Sequence, residues 1–176
     1  MGNKEFTIPF SGLKEGSHGF EYQLNNTFFE SFDYNEFNGA AIKVKAILKK
    51  MSTMMELDLD AGGTVNVDGD LSGEPFDQPV NANLHLVIKF GEAYDDTDDE
   101  ILIIPHGEHQ INIAQYVYEM LVLAVPQKRI HPGVLDGTLK SDMLDKLEEL
   151  RLKDEKSKSD TTDPRWDGLK KLLTNK

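Results

Sequence analysis

The chain has no cysteine. That excludes disulfides, thiol nucleophiles and cysteine-ligated zinc. Its one tryptophan, Trp166, stands close to the C-terminus. No apolar run approaches the roughly 18 residues of a membrane-spanning helix. A basic start followed by an apolar stretch is missing at the N-terminus, so no secretory signal is read. Phe6 stands where a myristoylation signal needs Ser or Thr. The expectation is a soluble, cytoplasmic chain with no membrane contact. Nucleophile motifs built from serine, histidine and an acid are also missing, as is a Gly-rich phosphate loop. The expectation is therefore no enzyme, no cofactor and no metal.

Positive charge is scarce where most of the chain lies. Residues 1–125 hold 7 Lys and Arg against 21 Asp and Glu, a net charge of −14. Residues 126–176 hold 12 against 10, a net charge of +2. An acidic body repels a phosphate backbone and suits a basic protein, so any nucleic-acid contact is expected through the tail.

What the chain does have is alternation. Lys4 to Phe10 reads as a strand, Gly12 to Gly19 as a loop that leaves His18 solvated, and Phe20, Tyr22 and Leu24 as a second strand. Asn26 is placed to cap a short helix with inward aromatics. Ile42, Val44, Ala46 and Leu48 alternate with Lys43, Lys45, Ile47 and Lys49. Met55, Leu57 and Leu59 alternate with Glu56, Asp58 and Asp60. Side by side, the two strands would set lysines against acids, at roughly 0.2–1 kcal/mol per pair. Ala61-Gly62-Gly63 reads as a hairpin turn. Leu84, Leu86, Ile88 and Phe90 form the clearest strand, with His85 on its polar face.

Between these strands lies one tight loop, Asp68 to Pro79. Asp68, Asp70 and Ser72 hold the first, third and fifth places of an EF-hand loop, with Gly73 sixth. Pro79 stands where the bidentate acid belongs, and the flanks read as strands, so an EF-hand is rejected. The stretch Gly69-Asp70-Leu71-Ser72-Gly73-Glu74-Pro75-Phe76 resembles the central motif of the YceD family. These are bacterial proteins, with plastid relatives, linked to accumulation of large-subunit ribosomal RNA. Many members read Cys-x-x-Cys-Gly-x-Pro-Phe there. Gly73, Pro75 and Phe76 match, whereas Gly69 and Ser72 occupy the two cysteine positions. The order Ile8-Pro9-Phe10, Leu13 and Phe20-Glu21-Tyr22 is similar to the family's N-terminal region.

Glu92 to Glu100 holds six acids in nine residues. It reads as a solvated loop, with a docking patch for a basic protein as the alternative. His106-Gly107-Glu108-His109 lacks the zinc-protease spacing, and Pro105 and Gly107 argue against a helix that would bring the histidines onto one metal. Asn112 is placed to cap a helix from Ile113 to Ala124 that buries Val117, Met120 and Leu121 and stops at Pro126. This stretch, with His131 after it, resembles the family's second signature. Ser141 is placed to cap a helix carrying Leu144, Leu147 and Leu150, and residues 153–162 read as a polar linker. Asp163-Pro164 then starts a helix whose stripe is Trp166, Leu169, Leu172 and Leu173. Asp163-Pro164-Arg165-Trp166 looks like the family's closing segment. That helix either docks on the sheet or is a recognition helix on a tether.

The expected fold is α+β: a mainly antiparallel, strongly curved or barrel-like sheet with a packed helix 113–124 and a helical C-terminal tail. Residues 1–135 form the β-rich body and 136–176 the charged tail. The resemblance implies a non-catalytic factor in ribosome biogenesis. It would bind large-subunit ribosomal RNA, a pre-ribosomal particle or a basic ribosomal protein. The alternative is an acidic module that shields a basic partner protein. The expected site residues are Gly69, Asp70, Ser72, Gly73, Pro75 and Phe76 in the motif loop, and Arg165, Trp166, Lys170 and Lys171 facing the partner.

Overall fold

The computed structural model describes residues 5–160. In chain order the strands are β1 (Thr7–Pro9), β2 (Gly16–Leu24), β3 (Gly39–Lys50), β4 (Met54–Asp68), β5 (Pro75–Gly91), β6 (Ile101–Pro105) and β7 (Gln110–Asn112). The helices are α1 (Asn26–Glu30), α2 (Ala114–Ala124), α3 (Pro132–Leu135) and α4 (Asp142–Asp160). Residues 153–160 of α4 fall within the stretch that reads as a polar linker. The chain forms two compact units. One takes in residues up to Gly69 and Glu74–Arg129, the other Asp70–Gly73 with the chain from Ile130.

In the first unit, β2, β3, β4, β5 and β6 make one sheet in that order. The alternation explains the faces. Ile42, Val44, Ala46 and Leu48 of β3 are buried, as are Leu57 and Leu59 of β4 and Leu86 and Ile88 of β5. The register sets Leu48 opposite Leu57 and Leu57 opposite Leu86, so the buried side chains form continuous rows. Each fully buried aliphatic contributes roughly 1.5–3 kcal/mol. The lysine and acid rows meet on the other face. Lys49 Nζ donates to Glu56 Oε2 at 2.9 Å, and Lys45 stands opposite Asp60. Asp58 lies opposite Ile47 and pairs instead with His85 across the next ladder, Nδ1 to Oδ1 2.6 Å.

The expectation of a strongly curved or barrel-like sheet is wrong. The sheet is open and mixed, with β2 and β6 as its edges and no ladder joining them. Alternation shows that each strand has a wet and a dry face, but it is silent on closure. Buried residues of the same unit outside this sheet include Phe28 and Phe29 of α1, Val117 and Leu121 of α2, and Ile8 and Ile111 of the short β1–β7 ladder.

The sheet is mixed because β6 runs parallel to β5, with Val87 opposite Ile101 and Gly91 opposite Pro105. The acidic loop makes the return. Asp95 exchanges two backbone bonds with Ile103, at 3.0 and 2.8 Å, so β6 lies between β5 and the loop. Gly91 permits this crossing, since a Cβ there would come within 2.5 Å of Ile103 Cγ2.

Other local expectations also shift. Ala61-Gly62-Gly63 is no turn but the middle of β4. β2 starts at Gly16, so His18 is in a strand, where its Nε2 lies 2.9 Å from the Lys14 carbonyl oxygen. Asn25, not Asn26, caps α1 by accepting from Thr27 N–H at 3.1 Å. β7 lies where the sequence shows only a helix cap. α2 starts one residue late, yet Asn112 Oδ1 still accepts from Ala114 N–H at 2.9 Å.

Candidate functional site

The motif loop connects β4 to β5. These two long strands stay paired up to its neck, where the register carries Val67 to Phe76 and Asp68 to Pro75. Gly69 N–H donates to the Glu74 carbonyl at 3.0 Å, closing the loop at its neck. Gly73 has φ +69°, a left-handed conformation that glycine adopts without strain. Pro75 opens β5, a position that tolerates the missing N–H. Pro79 lies farther along β5, where β6 does not reach, so it too sits on an edge. Phe76 and Val67 are both buried. Ser72 is buried at 4% exposure, next to the exposed Leu71.

Each matched family residue in this loop thus serves the fold. Gly73 makes the turn, Pro75 begins the strand and Phe76 fills the core. Flanking polar side chains brace the neck. Asn38 Nδ2 donates to Asp68 Oδ1 at 2.7 Å, and Asn66 Nδ2 to Asp77 Oδ1 at 2.8 Å. Sequence reading missed Asn38, which lies thirty residues from its partner with no periodicity to mark it. It also missed Arg129, whose guanidinium donates to Glu36 Oε2 at 2.9 Å. That bond holds the Glu36 carboxyl below the usual range, with the Tyr34 hydroxyl adding to it.

In the second unit, His131 caps α3 by accepting at Nδ1 from Gly133 N–H at 2.9 Å. Ser141 caps α4 as expected, its Oγ accepting from Leu144 N–H at 3.3 Å. Gly69 and Ser72, at the family's cysteine positions, offer no zinc ligands. His106 and His109 belong to the β6–β7 connection, where His106 stacks on Phe90 and the His109 carbonyl accepts from Phe10 and Ser11. Among the described residues no group of three or more His, Asp and Glu is gathered to hold a metal. Arg165, Trp166, Lys170 and Lys171 lie outside the described residues.

The model of the family described as large ribosomal RNA subunit accumulation protein YceD matches residues 57–173. The chain belongs to the YceD family. The YceD match starts within β4 and runs through the motif loop, α2 and α4 to the closing segment. The N-terminal likeness at Ile8 to Phe10 and Phe20 to Tyr22 lies before it. Comparison with curated proteins and with solved structures returns no match. No helix among the described residues of this YceD protein is long and apolar enough to cross a membrane.

Proposed function

We propose that the protein is a non-catalytic, cytoplasmic factor in ribosome biogenesis. It supports accumulation of large-subunit ribosomal RNA by binding RNA or a ribosomal protein. The observation that carries this reading is the family match over residues 57–173. In this reading residues 1–135 are the acidic body and 136–176 the charged tail. Arg165, Trp166, Lys170 and Lys171 are the partner-facing residues, since tryptophan and arginine anchor interfaces and stack on unpaired bases. Gly69, Asp70, Ser72, Gly73, Pro75 and Phe76 are the family-motif loop in this reading.

A second reading is an acidic module that shields a basic protein, favoured by the net −14 of residues 1–125. One experiment separates the two. The tagged chain is purified from growing cells, and RNA and protein are read out together. Large-subunit ribosomal RNA that stays bound after protease treatment supports direct RNA binding. A stoichiometric basic protein that survives nuclease supports the second reading. Neither ribosomal RNA nor a ribosomal protein above background would overturn the assignment to ribosome biogenesis.

A further inference from the structure

Two groups of carboxylates in the first unit contrast. On the open sheet face they have basic neighbours. Glu56 pairs with Lys49, Asp58 with His85, and both Glu21 and Asp60 stand opposite Lys45. Around a cavity of about 770 Å³ beside α2 they do not. Asp96, Asp98, Asp99 and Glu119 line it, and among the described residues no lysine, arginine or histidine pairs with any of them. Four acids without a basic partner are thus gathered at one cavity.

The cavity is not only acidic. Ala82, Leu84, Met120 and Leu123 give it apolar lining, and Leu123 is 84% exposed. Two phenols stand beside the acids. Tyr94 donates to Asp96 Oδ2 at 3.2 Å, and its hydroxyl lies 3.4 Å from that of Tyr116. Burial, then the Tyr94 hydroxyl, then the charges of Asp96 and Glu119 hold the Tyr116 phenol well above its usual range. The acids are held by the backbone as well. Asp98 Oδ1 accepts from Glu100 and Ile101 N–H at 2.9 and 3.1 Å, and Asp95 binds Thr97, so the loop is preset.

We infer that this groove, framed by α2, the middle of β5 and the acidic loop, docks a lysine- and arginine-rich segment of another protein. An apolar side chain of that segment would seat against Leu84, Met120 and Leu123. Charge complementarity chooses the occupant. Unpaired carboxylates attract ammonium and guanidinium groups and repel phosphate, so the groove does not fit RNA. The tyrosine faces add a place for a cation to rest. A second copy fits poorly, because the chain carries a net −12. The inference rests on the reading of the protein as a binding factor and names the chemistry of one partner.

The probe is a fluorescently labelled synthetic peptide of lysines and arginines with two leucines, titrated by anisotropy against the full chain. A peptide with alanines for the leucines and a single-stranded RNA are run beside it. The groove variant is Asp96→Asn, Asp99→Asn and Glu119→Gln together, which spares the Asp98 bonds to the backbone. It is expected to weaken the peptide by about tenfold and to flatten the salt dependence. Leu123→Ala, at an exposed position, should weaken it several-fold, and so should loss of the leucines from the peptide. The control is Glu21→Gln, Glu56→Gln and Asp60→Asn together on the sheet face, which should leave affinity within about twofold.

An equal loss in the control would overturn the groove in favour of general acidity. So would tighter binding of RNA than of peptide, or a dimer in sedimentation that Leu123→Ala dissolves. Failure of the purified protein to bind the peptide, while the chain still co-sediments with pre-ribosomal particles, would overturn the groove alone. Absence of the chain from those particles, with peptide binding intact, would count against the ribosomal reading and leave the groove supported.

Discussion

Gly63 stands opposite Ile42 across the β3–β4 ladder, close against the carbonyl of Ala41. A Cβ at Gly63 would come within 2.2 Å of the Ala41 carbonyl oxygen and 2.7 Å of Ile42 Cα. Both obstacles are backbone, so neither can turn aside. Gly63 inside β4 is thus explained by close strand approach rather than by a turn.

Gly63→Ala is expected to destabilise the protein by about 1–3 kcal/mol, the usual cost of forcing atoms into a packed site. Gly12, with nothing within 4 Å of its added Cβ, serves as the comparison. Gly12→Ala should stay within roughly 0.5 kcal/mol. Urea denaturation of both variants decides the matter, and equal midpoints would refute the close approach.

Gly73 should be sensitive for another reason. Its φ of +69° costs an L-residue about 1–2 kcal/mol, and the nearest atom to an added Cβ is only Met143 Cε at 3.6 Å. Gly73→Ala is expected to lose that much, and Gly73→Asn less, because asparagine visits the left-handed region more readily. If alanine and asparagine cost the same, space rather than conformation governs the position.

The Glu36–Arg129 pair should make stability fall in acid. Its carboxyl is held below the usual value by the hydrogen bond from Arg129, so the folded state binds its proton less readily than the unfolded chain does. The contribution is present above the ordinary glutamate range, near pH 4, and is lost as pH falls through the lower folded value. Glu36→Gln should flatten that part of a melting-temperature profile between neutral and acidic pH. An unchanged profile would show that solvent screens the exposed pair completely.

Trp166 offers a test of the tail. As an exposed anchor, its replacement by alanine should leave stability within roughly 0.5 kcal/mol and abolish co-purification with pre-ribosomal particles. As a residue buried in the protein's own core, its loss should cost on the order of 3–5 kcal/mol. A Trp166→Ala protein that is fully stable and still co-sediments with particles would remove the partner site from this segment.

Much of this protein follows from its sequence alone. Period-two alternation from Ile42 to Phe90 determines which side chains of β3, β4 and β5 are dry and which are wet, because successive strand residues point to opposite faces. The apolar stripe ending at Pro126 determines α2, and the order of Gly73, Pro75 and Phe76 with the later segments marks the family. Tertiary structure decided the rest. Alternation has no direction, so Ile101–Pro105 could not reveal that β6 runs parallel to β5 until Asp95 was seen paired with Ile103. Composition does not distinguish a glycine that turns the chain from one that lets two strands approach, and Ala41 decided that for Gly63. Nor does a count of acids tell which have partners. Glu56 and Asp96 look alike in sequence. Only the ladder that brings Lys49 to Glu56, and the loop that carries Asp96 to a cavity with no cation among its described lining, separates a charge paired within the sheet from one with no basic partner among the described residues.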